Sequence, residues 1–219
     1  MKILVLSDIH GRTDNMEKIR DTAGEADLVL VAGDISHFGG ADNAERILYT
    51  LRTYNPHVKA VAGNCDNRQI EEYLEQENML LDRRAYQFNG IRFIGLSGAL
   101  PGPVRTPYET SEESISRLLG GVSGMDNGST VLISHQPPFR TIADRAMKLH
   151  HVGSRSVRDW IEKNTPRLVV CGHIHESYGY KQLGPTHIVN PGAWKEGRYA
   201  LVELSAAETR IEISLEICD

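Results

Sequence analysis

No apolar run in this 219-residue chain reaches the roughly 20 residues that a membrane-spanning helix requires. The apolar start, Met1 to Leu6, meets Ser7 and Asp8 too early for a signal peptide. The chain is therefore expected to work away from membranes. Cysteine is scarce, and Cys65, Cys171 and Cys218 are odd in number and widely spread, with no spacing of a disulfide frame or a zinc finger. A reducing compartment, the cytoplasm, is the expected location. Positive charge is also short, with 24 Lys and Arg against 29 Asp and Glu, a net charge of -5 and a pI near 6.0. The basic residues are scattered, so the electrostatic footprint of a nucleic-acid binder is missing and a polymeric nucleic-acid partner is disfavoured. A single nucleotide is not. Repeats, low-complexity stretches and linker-like composition are absent too. One domain over residues 1–219 is expected, and 40% hydrophobic residues suffice for its core.

What the chain does have is an alternation of short apolar runs with helical patterns. Lys2 to Ser7, Leu28 to Ala32, Val58 to Ala62, Thr130 to Ser134 and Leu168 to Cys171 are rich in Val, Leu and Ile and read as interior strands. Helix-compatible spacing covers Asn15 to Ala23, Ala41 to Arg52, Ile70 to Glu77, Glu112 to Leu119 and Ser156 to Lys163. Gln87 to Phe93, around Asn89-Gly90, and Lys181 to Val189, around Gly184-Pro185, read as hairpins. Tyr199 to Leu204 and Arg210 to Ile217 close the chain as further strands. Strand-helix alternation first and strand pairing later point to an α/β fold of two packed sheets with helices outside.

In such folds ligands bind in the loops beyond the carboxyl ends of the strands. Here those loops carry Asp8-Ile9-His10, Gly33-Asp34, Gly63-Asn64-Cys65-Asp66, His135 and Gly172-His173-Ile174-His175. Carboxylate, amide and imidazole donors in one set suit borderline divalent ions, whereas calcium or magnesium would draw nearly all oxygen. In an extended segment, Asp8-x-His10 and His173-x-His175 would each aim both side chains the same way. A lone Gly-Asp or strand-end His is an ordinary turn or core residue, and only the joint order is informative.

That order resembles the calcineurin-like metallophosphoesterase family, whose blocks run D-x-H, G-D, G-N-H-D/E, H and G-H-x-H. The resemblance spans residues 8 to 175. It implies two mixed β-sheets flanked by helices, a four-layer αββα sandwich. It implies two divalent metal ions, manganese first and iron, zinc, nickel or cobalt as alternatives. Asp8, His10 and His175 would hold one ion, Asn64, His135 and His173 the other, and Asp34 would bridge them. The implied reaction is hydrolysis of a small phosphate ester by a hydroxide bridging the ions, with no protein nucleophile. Asp34, Asn64, Asp66 and His135 would be catalytic, and Asn64, His135 and His151 would meet the substrate.

The chain departs from the pattern at Cys65, where many members carry a His that protonates the leaving oxygen. A thiol is the poorer donor, and Cys65 reads as a packing residue before it reads as an acid. Small members with this block resemble phosphodiesterases, so a diester is the expected substrate, with a phosphorylated small metabolite as the monoester alternative. A scaffold without catalysis would have lost ligands, and none is lost. A nuclease would need a basic surface. His150-His151-Val152-Gly153-Ser154 is a second candidate element, in which His151 could donate to phosphate and Ser154 could cap the next helix. A homo-oligomer is left open.

Overall fold

A computed structural model of the chain describes residues 1–82, 85–122, 129–205 and 211–218. Three parallel strands, β1 (Lys2–Leu6), β2 (Leu28–Ala32) and β3 (Val58–Val61), form one half of the first sheet. The six strands of the second sheet are β4 (Ala85–Phe88), β5 (Ile91–Leu96), β6 (Thr130–Ser134), β9 (Leu168–Cys171), β10 (Gly179–Leu183) and β11 (Thr186–Asn190). A short pair, β7 (Arg145–Ala146) and β8 (His150–His151), stands apart, and β12 (Arg198–Leu204) and β13 (Ile211–Ile217) return to the first sheet. The orders are β13-β12-β1-β2-β3 and β10-β11-β9-β6-β5-β4. Both sheets are mixed. The Arg210 at which the last strand was expected to begin lies outside the described residues.

The central strands are apolar on both faces because both faces are covered. Ile3, Val5, Leu28 and Leu30 pack against Phe93, Val131, Ile133 and Val170 of the opposite sheet. Their neighbours Leu4, Leu6, Val29 and Val31 point outward, onto α1 (Arg20–Glu25), α2 (Ala41–Tyr54) and α3 (Arg68–Gln76). On the far side, Leu132 and Val169 meet α4 (Glu112–Gly120) and α5 (Arg155–Asn164). The result is the expected four-layer sandwich.

Helix α2 buries Ala44, Ile47, Leu48 and Leu51, one stripe at helical spacing. Helix α5 starts where Ser154 Oγ accepts the amide of Val157, and α4 where Ser111 Oγ accepts that of Ser114. The first expected helix is instead split. Asn15 makes no capping bond, so residues Met16–Ile19 wind as a tighter 3-10 turn before α1 begins at Arg20. In the β4–β5 hairpin, Asn89 and Gly90 both take positive φ, 49° and 76°, as the expected tight turn demands. Among the described residues no helix is long and apolar enough to cross a membrane.

Register does the remaining positioning. Ile3 pairs with Leu28 and Leu6 with Val31, which brings the loops after β1 and β2 out side by side. The amides of Asp8 and His10 then bond the carbonyls of Gly33 and Asp34 at 3.1 and 2.9 Å. In the second sheet Ser134 pairs with Cys171, and Gly172 N donates to His135 O at 3.2 Å. The two sheets thus deliver their loops to one end of the molecule.

Candidate metal centre

The ligand-bearing loops are not extended. Asp8, His10, Asp34 and His173 have φ of 54°, 49°, 51° and 69°, so the straight geometry expected of Asp8-x-His10 and His173-x-His175 is not what brings their side chains together. Each backbone coils tightly at the strand end, a conformation that costs a non-glycine residue about 1–2 kcal/mol. Four such residues at one place indicate that the fold spends stability on side-chain placement. Neighbouring glycines admit the crowding. A Cβ on Gly63 would lie 2.1 Å from Asp34 Oδ1, and one on Gly172 would lie 1.8 Å from Ser7 Oγ.

Seven expected ligands converge. His10 Nε2 is 3.2 Å from His175 Nε2, which is 3.2 Å from Asp8 Oδ1. Asp34 stands between two groups, its Oδ2 3.7 Å from His10 Nε2 and its Oδ1 3.4 Å from His135 Nε2. His135 Nε2 also faces Asn64 Oδ1 at 3.0 Å, and its ring lies edge-on to that of His173 at 5.2 Å. His173 N reaches Asp8 Oδ2 at 3.1 Å, tying the two halves together. The donor atoms of Asp8, His10 and His175, and those of Asp8, Asp34 and His135, each gather within 4.8 Å.

The groups are buried and set against one another. Burial pushes Asp34 up, but the charge of His135 and its hydrogen bond, with His10, outweigh this and hold the carboxyl below its ordinary range. Burial raises Asp8 as well, and the bond from His175 with the charges of His135 and His175 brings it down. His135 moves the other way. Burial disfavours its charged form, yet Asp34 and Asp8 raise it to about 9. Burial dominates at His10 and His173, both lowered to about 4. Two ionised carboxylates with inward-facing imidazoles, of which His10 and His173 are held neutral by burial, form a donor set that fits divalent cations.

Second contacts fix the imidazoles. His135 Nδ1–H donates to Ala32 O at 2.7 Å, which reserves Nε2 for the centre. Asp66, expected among the catalytic residues, is turned elsewhere. Fully buried, its carboxylate accepts the amides of Ile35, Ser36 and Gly63 at 3.1, 2.8 and 2.8 Å, a tie between the Asp34 and Asn64 loops. Cys65 lies in the same place, its thiol pushed up by burial and by the charge of Asp34. His151 stands apart. Its Nδ1–H donates to Asp144 at 2.7 Å, and its ring lines a cavity that none of the other eight expected site residues reaches.

One residue was not anticipated. His37 Nδ1 lies 3.3 Å from His10 Nδ1, with Cys65 close to both. Were His10 Nε2 to hold a metal ion, His10 Nδ1–H would be the donor of that bond and His37 the acceptor. The sequence held one hint, a histidine three residues after Asp34, but no spacing pointed from it to His10.

A sandwich whose strand ends carry this buried cluster defines a hydrolase of phosphate esters. The calcineurin-like phosphoesterase superfamily domain matches residues 1–207, and the chain belongs to that family, whose members depend on metal. An uncharacterized protein of Methanocaldococcus jannaschii is 37% identical over 196 residues, 87% of this chain and 88% of its own. The 3',5'-cyclic adenosine monophosphate phosphodiesterase CpdA of Pseudomonas aeruginosa is 21% identical, over 86% of this chain and 68% of its own. A solved structure described as a novel archaeal phosphodiesterase superposes with a TM-score of 0.56 at 17% identity, over 99% of this chain and 100% of that one.

Proposed function

We propose that the chain is a phosphodiesterase acting on a small phosphate diester with two divalent ions, manganese first among them. One observation carries this reading: Asp34 offers one oxygen toward His10 and the other toward His135, the position of a carboxylate shared between two ions. Asp8, His10 and His175 would hold one ion and Asn64, His135 and His173 the other. When bound, two such ions supply Lewis acidity, lowering the pKa of water and neutralising phosphoryl oxygens.

The chain's own residues do the rest. Ala32 O and His37 hold His135 and His10 in the tautomers whose Nε2 faces inward. Asn64 turns Oδ1 toward the centre and gives one Nδ2 hydrogen to Cys65 Sγ at 3.7 Å, which leaves the other for a phosphoryl oxygen of the substrate. Asp66 is a positioning residue that holds Asp34 and Asn64 in register. The Cys65 thiol, kept protonated by burial and by the charge of Asp34, fills space beside Asp34. Diester specificity is supported by Cys65 in the Gly63-Asn64-Cys65-Asp66 block, the form in which small members of the family resemble phosphodiesterases. It is supported also by the cyclic-nucleotide activity that the Pseudomonas relative's name records. The expected working compartment is the cytoplasm, in keeping with free cysteines at 65, 171 and 218.

The test is hydrolysis of a chromogenic phosphodiester and its monoester counterpart by chelator-stripped protein, with and without manganese. Manganese-dependent diester cleavage that outpaces the monoester is expected. A preference for the monoester would overturn the diester assignment, and inactivity with each of several divalent ions would overturn the enzyme reading.

A further inference from the structure

The cavity that His151 lines, of about 430 Å³, opens between the turn at Ile142–Asp144, helix α5 and the β10–β11 hairpin. That volume lies in the range of small-molecule sites. None of the metal-centre side chains lines it. Its wall carries Arg140, Arg145, Arg158 and Lys181, and among the described residues no carboxylate. Such a concentration of cations is unexpected on a chain of net charge -5.

The local acids are committed elsewhere. Asp144, fully buried beneath the wall, spends its oxygens on the amides of Arg140, Thr141 and Gly153 and on His151 Nδ1. Glu162 pairs with Arg158 at 2.7 Å. Arg140, Arg145 and Lys181 have no acidic partner among the described residues. Three exposed cations without an acidic partner about one hollow offer an anion charge-assisted hydrogen bonds from several sides. The frame beneath Arg145 is firm, since its amide and carbonyl both bond Ser177 Oγ, at 2.9 and 2.8 Å. The floor is aliphatic, formed by Ile142, Leu183 and Ile188, with the Gln182 amide beside it.

From this combination we infer that the cavity is a separate binding site for a small phosphorylated organic molecule of nucleoside-monophosphate size. Its phosphate would sit among Arg140, Arg145 and Lys181, and its less polar part on the aliphatic floor. The inference does not rest on the phosphodiesterase reading. It does have a bearing on the metal centre, because Met147 N and Arg145 bond Glu176 and Ser177, directly after His175.

Calorimetric titration of the manganese-loaded protein with AMP, adenosine and inorganic phosphate tests it. AMP is expected to bind with Kd below about 1 mM, and adenosine and phosphate each at least about tenfold more weakly. The exposed pair Arg145→Gln with Lys181→Gln should weaken AMP at least about tenfold without moving the thermal midpoint. Binding should survive Asp34→Asn, which separates this cavity from the metal centre. The inference fails if AMP binding is lost in Asp34→Asn but kept in the double variant, if adenosine or phosphate binds as well as AMP, or if AMP does not bind up to about 10 mM.

Discussion

Loading the centre with metal should expel a proton, and His135 identifies which one. In the metal-free protein its imidazole is raised from 6.5 to about 9 by Asp34 and Asp8. Nδ1 is committed to Ala32 O, so the ionisable position that faces Asp34 and Asn64 is Nε2. A ligating nitrogen must give up that proton. At pH 7.5 the protonated form prevails by roughly 30 to 1, so its removal costs about 2 kcal/mol of binding free energy. Apparent affinity should therefore climb close to tenfold per pH unit from about 7 to 9, then level off. His10 and His173, lowered to about 4, are already neutral there and release nothing. Manganese titrations under nitrogen, in buffers of different ionisation enthalpy, read the His135 proton as a difference: above whatever bound water gives up, release should fall by more than about half a proton per site pair between pH 7.5 and 9.5. Zero release at pH 7.5, or an affinity flat between 7 and 9, would refute the assignment. The same shifts set the stability of the metal-free protein. The raised His135 contributes fully below about 6.5, and that contribution fades as pH rises through 9. The lowered His10 and His173 withdraw stability as pH falls from 6.5 through 4. For these three groups the optimum lies near pH 6.5.

Asp34→Asn should abolish manganese binding and hydrolysis together while the circular dichroism spectrum stays native; an active, fully metallated variant would sink the shared-carboxylate reading. His37→Ala should weaken manganese binding about 10- to 100-fold by freeing His10, and His37→Gln, which retains an acceptor, should restore part of it. Equal losses in both variants would mean that acceptance by His37 is not the cause. Asp66→Ala leaves three buried amides without their acceptor and should lower unfolding free energy by about 3 kcal/mol, read from the denaturant midpoint. Cys65→Ala should cost less than tenfold in rate, whereas a loss beyond the roughly hundredfold typical of a general acid would make the thiol a proton donor.

The sheets were legible in the sequence because interior strands covered on both faces are continuous apolar runs, and Leu28–Ala32, Thr130–Ser134 and Leu168–Cys171 begin and end where expected. The site was legible for a related reason: each ligand stands just past such a strand, and parallel register brings strand ends together. What escaped was geometry that depends on loops. Positive φ at Asp8, His10 and His173 leaves no periodic trace, so the coiled strand ends were read as extended. The roles of Asp66 and His151 depend on which backbone amides and acids lie opposite, namely Ile35, Ser36 and Gly63 for one and Asp144 for the other. His37 is a neighbour of His10 only because the amides of His10 and Gly11 hydrogen-bond the Asp34 and Ile35 carbonyls.

The loop after β11 has a consequence for when the centre can exist. Trp194 N and Lys195 N bond the carbonyls of Ser7 and Asp8, and β12 covers the edge of β1 that β2 leaves open. A chain emerging from the ribosome as far as Ser177 already carries every proposed ligand, yet the bonds from Trp194 N and Lys195 N to the Asp8 turn are still missing. The Asp8 turn is thus complete only when the last strands have joined the first sheet.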